Sequence, residues 1–339
     1  MPPSKPQVVI VTPASAAANN GNWQTAQRWW RFLAPLYRTR LVDTWPDREA
    51  ARDQVMIALH ARRSAASIAA WRRRHARPSL AVVLTGTDLY RDIHGDATAQ
   101  HSLASADRLV TLQERGPLAV PPEYRAKTRV IFQSASSRLA LPKTARHLRV
   151  VMVGHLREEK SPATLFAAAN IIKPDEAILI DHIGGALDKA LAREAKLTMA
   201  ACPHYRWLGG RSHEETRRRI QRAHVLVHCS RIEGGAHAIL EAAMSGTPVL
   251  ASRIDGNVGL LGEDYAGYFP WGDATEVVRL LRECRASQAR PDAYLKMLTS
   301  QIATRTRLFA ASTERMAVRQ LVAELLGTAP QDIPRTRSP

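Results

Sequence analysis

The sequence predicts an α/β protein of two doubly wound, Rossmann-like domains. Three observations carry this reading. The length, 339 residues, suits two domains at roughly 100–200 residues each. The chain opens on a short β-branched run, then a loop, then a helical pattern, and strand-like runs go on alternating with helical ones. The same theme restarts at residue 148.

The first run, Val8-Val9-Ile10-Val11, is continuous and β-branched, as in a strand covered on both faces. The loop Asn19-Asn20-Gly21-Asn22 follows. Trp23, Ala26, Trp30 and Leu33 then recur at helical spacing up to Pro35. Further strand-like runs are 40–42, 55–59, 80–84, 108–111 and 129–132, with a helix expected over Arg62 to Arg74. The polar stretch Ser136 to His147, with Pro142, reads as a linker. Beyond it, Leu148 to Gly154 repeats the opening, and 177–180, 225–228 and 248–251 continue it. The expected division is therefore an N-terminal domain over 1–142 and a C-terminal domain over 148–300. A helical segment over 301–327 would pack back on the first domain, and 328–339 would be a frayed tail. Two such domains in series would face a central cleft, and open α/β sheets bind ligands at the carboxyl ends of their strands.

Composition narrows the function classes. Hydrophobic residues make up 45%, enough for ordinary cores. No apolar run approaches the ~18 residues of a membrane span. The apolar stretch after Lys5 is four residues long, against about 7–15 in an export signal. Cys202, Cys229 and Cys284 are far apart and odd in number, which argues against a disulfide framework and fits a reducing, cytoplasmic setting. The formal charge is +17, with 40 arginines and 8 lysines. That bias fits genome composition as well as selection for phosphorylated ligands, which arginine forks hold well. A basic nucleic-acid-binding protein is the rival class. No helix-turn-helix, zinc-finger or aromatic RNP-type signature accompanies the charge, so no nucleic-acid partner is expected.

Two stretches of the second half carry candidate chemistry. In Ser230-Arg231-Ile232-Glu233-Gly234-Gly235-Ala236-His237, a glutamate follows a strand and two glycines precede a helix. Free N–H groups at that corner suit a phosphate. Glu241 falls in the helix's second turn, where it could reach ribose or sugar hydroxyls; a glycine turn with a surface glutamate is the plainer alternative. In Gly154-His155-Leu156-Arg157-Glu158-Glu159-Lys160, two cations three residues apart lie between a strand and a helix. They suit a diphosphate or a solvated charge run. His237 could bond the same ligand. His224 and His228 flank a strand, too far apart at ~3.3 Å per residue for one metal ion. Cys229 reads as a buried structural thiol, and Trp29-Trp30 as core and interface.

Together with Ala243-Met244-Ser245-Gly246-Thr247-Pro248-Val249, these motifs resemble the donor half of family-four glycosyltransferases of the GT-B fold. The resemblance implies that Arg157 and Lys160 neutralise the donor diphosphate. It implies that Glu233 contacts the transferred sugar, that N–H groups around Gly234, Gly235 and Ala236 serve phosphate or sugar, and that Glu241 holds the ribose. Trp207-Leu208-Gly209 matches the segment lining the base. Such enzymes generally need neither a metal nor another cofactor for the transfer.

A narrower likeness adds Thr12-Pro13-Ala14, Gly21 to Ala26, Leu59 to Ala65 and Thr85-Gly86-Thr87-Asp88-Leu89-Tyr90. These look like the selenosugar synthases of selenoneine biosynthesis, implying UDP-N-acetylglucosamine or a related UDP-sugar as donor and selenophosphate as acceptor. Thr85 stands where relatives with alcohol acceptors often carry histidine. An alcohol loses a proton as it attacks and gains from a base; an anionic selenium needs positioning and charge compensation instead. His60 could otherwise supply the imidazole. On the acceptor side, Asn20, Gly21 and Asn22 could offer N–H groups to an anion or form a simple N-cap. Arg62 and Arg63 could bind selenophosphate oxygens or be surface charge. Asp88, beside Thr85, Gly86 and Thr87, could orient a hydroxyl or a cation, or cap the next segment. The alternative function is an O-glycosyltransferase of the same family with an alcohol acceptor.

Overall fold

The computed structural model describes residues 5–13, 21–76, 78–288, 290 and 293–328. Asn20 and the expected frayed tail beyond Thr328 lie outside the described residues. The chain divides into two compact units, Met1–Gln133 with Ala311–Pro339, and Ser134–Ala310.

The first unit is a six-stranded parallel sheet. Its strands are β1 (Gln7–Val11), β2 (Arg38–Val42), β3 (Val55–Leu59), β4 (Leu80–Val83), β5 (Arg108–Thr111) and β6 (Thr128–Val130), in the spatial order β2-β1-β3-β4-β5-β6. Every residue of β1, β3 and β4 is buried, as expected of strands covered on both faces. The helices are α1 (Gly21–Leu33), α2 (Ala65–Arg74), α3 (Ile93–Gly95), α4 (Ala97–Ser105) and α5 (Gly116–Ala119). Helix α2 starts three residues later than expected. His60 adopts a left-handed φ of 72°, and Ser64 Oγ donates to the Leu59 carbonyl at 2.6 Å, so the chain turns before it winds.

The second unit repeats the plan. Its strands are β7 (Leu148–Val153), β8 (Ile178–Ile183), β9 (Tyr205–Trp207), β10 (Val225–His228), β11 (Val249–Ser252) and β12 (Tyr268–Phe269), all parallel, ordered β12-β11-β10-β7-β8-β9. Its helices are α6 (Pro162–Ile171), α7 (Lys189–Ala201), α8 (His213–Arg222), α9 (His237–Ala243), α10 (Asp255–Leu261), α11 (Ala274–Ser287) and α12 (Tyr294–Ala303). Strand order reverses between β7 and β10 here, and between β1 and β3 in the first unit. Ligand crevices form outside the carboxyl ends of strands at such reversals.

Two boundaries fall elsewhere than the sequence suggested. Residues from Ser134 onward belong to the second unit, because the stretch read as a linker is stitched to α8 and α9. Arg217 Nη2 donates to the Ser136 carbonyl (2.7 Å), Arg138 N to the Met244 carbonyl (2.8 Å), and Gln221 Nε2 to the Leu139 carbonyl (2.7 Å). At the other end, α12 stays in the second unit and only α13 (Ala311–Leu326) joins the first. Val318, Leu321, Val322 and Leu325 of α13 enter the core that holds Val8, Ile10 and Trp29. Among the described residues, no helix is long and apolar enough to cross a membrane.

Candidate active site

At the reversal of the second sheet, the loop after β7 meets the loop after β10. Lys160 Nζ donates to Glu233 Oε1, and His228 Nε2 lies 3.1 Å from the same oxygen. Glu233 is 8% exposed. Burial alone would raise its pKa, but the Lys160 ammonium and then His228 hold it well below the usual carboxylate range. Arg157 is exposed, its Nε 3.9 Å from Glu159. The two loops are tied directly, since Arg231 N donates to the Glu159 carbonyl at 2.9 Å. The Arg231 guanidinium lies over Trp271, whose Nε1 donates to Ser161 Oγ at 2.9 Å.

Two glycines fix this edge. A Cβ on Gly184 would stand 1.9 Å from the Gly154 carbonyl oxygen, and one on Gly256 would stand 2.1 Å from that of Glu233. Ser252 Oγ, bonded by Asn257 Nδ2, donates to the Ser230 carbonyl at 2.6 Å. His182 donates from Nε2 to the Gly154 carbonyl (3.1 Å) and accepts at Nδ1 from the Tyr205 hydroxyl (2.9 Å). Burial pushes His182 down to about 4, so it serves as a neutral brace. Trp207, Leu208 and Gly209 lie at the same edge. Trp207 Nε1 donates to the Gly184 carbonyl (2.8 Å), Leu208 N to that of His182 (2.8 Å), and Gly209, at φ 70°, accepts from Gly184 N (2.9 Å).

Gly234, Gly235 and Ala236 lead from Glu233 into α9. Its Glu241 is 4% exposed. His213 Nε2 donates to Glu241 Oε1 at 2.7 Å, His237 Nδ1 lies 3.3 Å from that oxygen, and Arg217 Nη1 lies 3.9 Å away. Burial opposes the charge, yet the bonds from His213 and His237 hold this carboxyl down to about 2. The same bond raises the His213 pKa. His237 Nε2 also donates to the Ser134 carbonyl at 3.2 Å. The second unit thus presents two buried, ionised carboxylates eight residues apart, each already held by a cationic or imidazole group. The carboxylates can accept from hydroxyls, and the cations beside them can balance phosphate charge, without a proton transfer.

The first unit gathers its candidates at its own reversal. Gly21 and Asn22 form the first turn of α1. His60 is buried, with Nε2 3.3 Å from Thr87 Oγ1 and Nδ1 3.9 Å from Asp88 Oδ2. Burial lowers its pKa, against the pull of Asp88. Asp88 is fully buried and committed locally. It accepts from Ala61 N (3.0 Å), Thr85 N (2.7 Å), Thr85 Oγ1 (3.2 Å) and Gly86 N (3.1 Å). It clamps the loop 85–87, with Gly86 at φ 131°, to the end of β3. Arg62 pairs with Asp92 at 3.1 Å, and Arg63 is exposed.

Sequence reasoning did not single out His213, Arg217, Gly184 or Gly256, and it weighed His228 only as a metal ligand. The Gly-Gly at 184–185 directly follows β8, and Asp-Gly-Asn at 255–257 opens α10 shortly after β11, a signal for close backbone approach. Nothing in the local pattern marks His213, which meets Glu241 only through the fold. Among the described residues, no group of three or more His, Cys, Asp or Glu could hold a metal ion.

Residues 136–292 match the family of glycosyl transferases group 1. No curated protein matches the chain. Among solved structures, the chain is similar to sucrose-phosphate synthase from Thermosynechococcus elongatus, with 17% identity over 95% of this chain and 99% of that one, at a TM-score of 0.75. It is similar to a glycosyltransferase from Rickettsia africae ESF-5, with 11% identity over 96% and 100%, at 0.74. It is also similar to HepE of Anabaena in complex with UDP-glucose, with 14% identity over 95% and 99%, at 0.69. These likenesses are of fold. The chain has the two-domain GT-B fold, and the stretch of its second unit over 136–292 is similar to glycosyl transferases group 1.

Proposed function

We propose that the protein is a selenosugar synthase, a glycosyltransferase that moves N-acetylglucosamine from UDP-N-acetylglucosamine to selenophosphate. The observation that carries the donor half is the Lys160–Glu233 pair at the strand-order reversal, within the stretch that matches glycosyl transferases group 1. Lys160 has three donors and can keep Glu233 while taking a diphosphate oxygen. Arg157, exposed beside it, adds a second cation. As the bond between the anomeric carbon and phosphate oxygen breaks, UDP leaves with the electron pair, and both cations stabilise the growing charge. Glu233 and the backbone from Gly234 to Ala236 face the sugar, His237 braces that corner, Trp207 to Gly209 line the base, and Glu241 takes the ribose hydroxyls. HepE of the fold comparison was solved with UDP-glucose, which supports a UDP-sugar donor.

In the first unit, selenium of selenophosphate attacks the anomeric carbon. Gly21, Asn22, Arg62 and Arg63 compensate its phosphate charge, with Asn20 in the same loop. His60 and Asp88 organise the loop of Thr85, Gly86 and Thr87. An already anionic selenium needs no proton removed, in keeping with threonine at position 85 and with an Asp88 whose oxygens are bonded to its own loop and to Ala61 N. Attack of water on phosphorus then breaks the Se–P bond, releasing inorganic phosphate and leaving the selenosugar as its selenol or selenolate. Incubating the protein with UDP-N-acetylglucosamine and selenophosphate should yield UDP and a selenium-containing hexosamine by mass spectrometry. UDP release that ignores selenophosphate, or that needs an alcohol, would assign the chain to O-glycoside synthesis instead.

A further inference from the structure

A cavity of about 500 Å³ lies in the second unit, away from the strand carboxyl ends. One wall is the sheet face of β7, β8 and β9, carrying Arg149, Asp181 and Arg206; the other is the flank of α8, carrying Arg218, Arg219 and Arg222. The register explains the shared face, since Val151 pairs with Asp181 and Asp181 with Arg206. A charged strand residue on a sheet face is costly unless it has a partner or a use.

Asp181 supplies part of that partnership. Its Oδ1 accepts from Arg206 Nε (2.9 Å) and Nη2 (2.7 Å), and its Oδ2 accepts from Arg219 Nη1 (3.0 Å). One carboxylate thereby holds guanidinium groups from opposite walls. Glu215 is the other acid in the lining and also bonds Arg219. The lining holds five arginines against two carboxylates, and Glu214, just outside it, accepts from Arg218 at 3.2 Å, so positive charge remains in excess. Arg149 Nε donates to His147 Nε2 at 3.1 Å, leaving its terminal nitrogens for another acceptor. Burial first, and then the surrounding arginines, push His147 down, so it adds no charge near neutrality.

We propose that this cavity binds a small, multiply phosphorylated anion, at a site separate from the sugar-donor site. Its volume falls within the ~300–1,000 Å³ of small-ligand sites. Guanidinium forks match phosphate oxygens in pairs, and arginines already oriented by a carboxylate lose little freedom on binding. This inference does not depend on the proposed reaction.

The test is titration of the full chain with inorganic tripolyphosphate at about 0.15 M salt. Wild type should bind in two classes. K160A should lose the donor-site class and keep the other. R149Q/R222Q, both exposed positions, should keep the donor-site class and weaken the other by about tenfold or more. In wild type, tripolyphosphate should also slow amide hydrogen exchange across 215–223, which needs no variant to fold. A single class abolished by K160A, or R149Q/R222Q binding as wild type, would overturn the proposal. So would unchanged exchange across α8. Tighter capture of single-stranded RNA than of tripolyphosphate, lost in R149Q/R222Q, would also overturn it by assigning these arginines to nucleic acid.

Discussion

Gly256 leaves no room for a side chain against Glu233, because its Cβ would stand 2.1 Å from the Glu233 carbonyl oxygen and 2.9 Å from the Glu233 Cβ. Backbone cannot swing aside as the end of a flexible side chain can. G256A must therefore push back either the start of α10 or the Glu233 loop, which is braced by Ser252 and Asn257. A shift of about 1 Å at a reacting site costs on the order of 10²-fold in rate. G256A should lower kcat/KM by about that factor, with about 1–3 kcal/mol lost in urea unfolding. Wild-type turnover in G256A would detach the Glu233 loop from the chemistry.

Removing Lys160 leaves a buried carboxylate with only His228 beside it. Breaking a buried pair from one side costs about 3–5 kcal/mol. The pH dependence has a definite sign. The folded pKa of Glu233 is depressed, so its stabilising contribution is full above its unfolded value of ~4.3 and is lost as pH falls toward the folded one. K160A should thus be much less stable than wild type at pH 7, and the gap should narrow below about pH 4.3. Denaturant midpoints at both pH values check this, and a gap that stays constant would assign the loss to packing.

The bond from His213 to Glu241 gives the proposed donor site an expected pH dependence. In the proposed reaction a ribose hydroxyl needs the oxygen that His213 holds at 2.7 Å. The bond raises the His213 pKa above its ordinary value, so the protonated ring grips Glu241 at low pH and loosens only as pH rises through the raised value. UDP should therefore bind more tightly at pH 8 than at pH 6, by a few-fold. H213Q should flatten this profile. Titration calorimetry at the two pH values decides it, and a flat wild-type profile removes His213 from the site.

The strand positions were legible because strands covered on both faces are continuous apolar runs, as in Val8 to Val11 and Val150 to Val153. The Glu233 and Lys160 loops were legible because each directly follows such a run. What the sequence could not display are partners distant along the chain. His213 meets Glu241 from another helix, and Asp88 bonds Ala61 N across 27 residues. The attachment of 136–147 to the second unit was hidden for a related reason. A polar, proline-bearing stretch looks free when its carbonyls have no visible donors, yet Arg217, buried in α8, reaches Ser136.

Glu314 shows the same effect at the end of the chain. It lies in the first turn of α13 and is 1% exposed. Its carboxylate accepts from Arg28 Nε (2.7 Å), Arg28 Nη2 (3.0 Å) and Trp29 Nε1 (2.7 Å), all on α1. The helix sequence alone gives no reason to bury an acid there, since only the fold brings α1 alongside. E314A would leave one guanidinium and one indole N–H without an acceptor in a dry environment. Each orphaned donor costs about 1–3 kcal/mol, more when charged. E314A should therefore lose about 3–5 kcal/mol in urea unfolding. E314Q should lose less, because an amide oxygen can still accept from Trp29. A cycle with R28A should give a coupling energy above about 1 kcal/mol. Because α13 lies outside the unit proposed to bind the donor, UDP affinity should be unchanged in whatever fraction of E314Q remains folded. A weakened affinity there would mean that α13 acts on the donor site as well as on the first unit's stability.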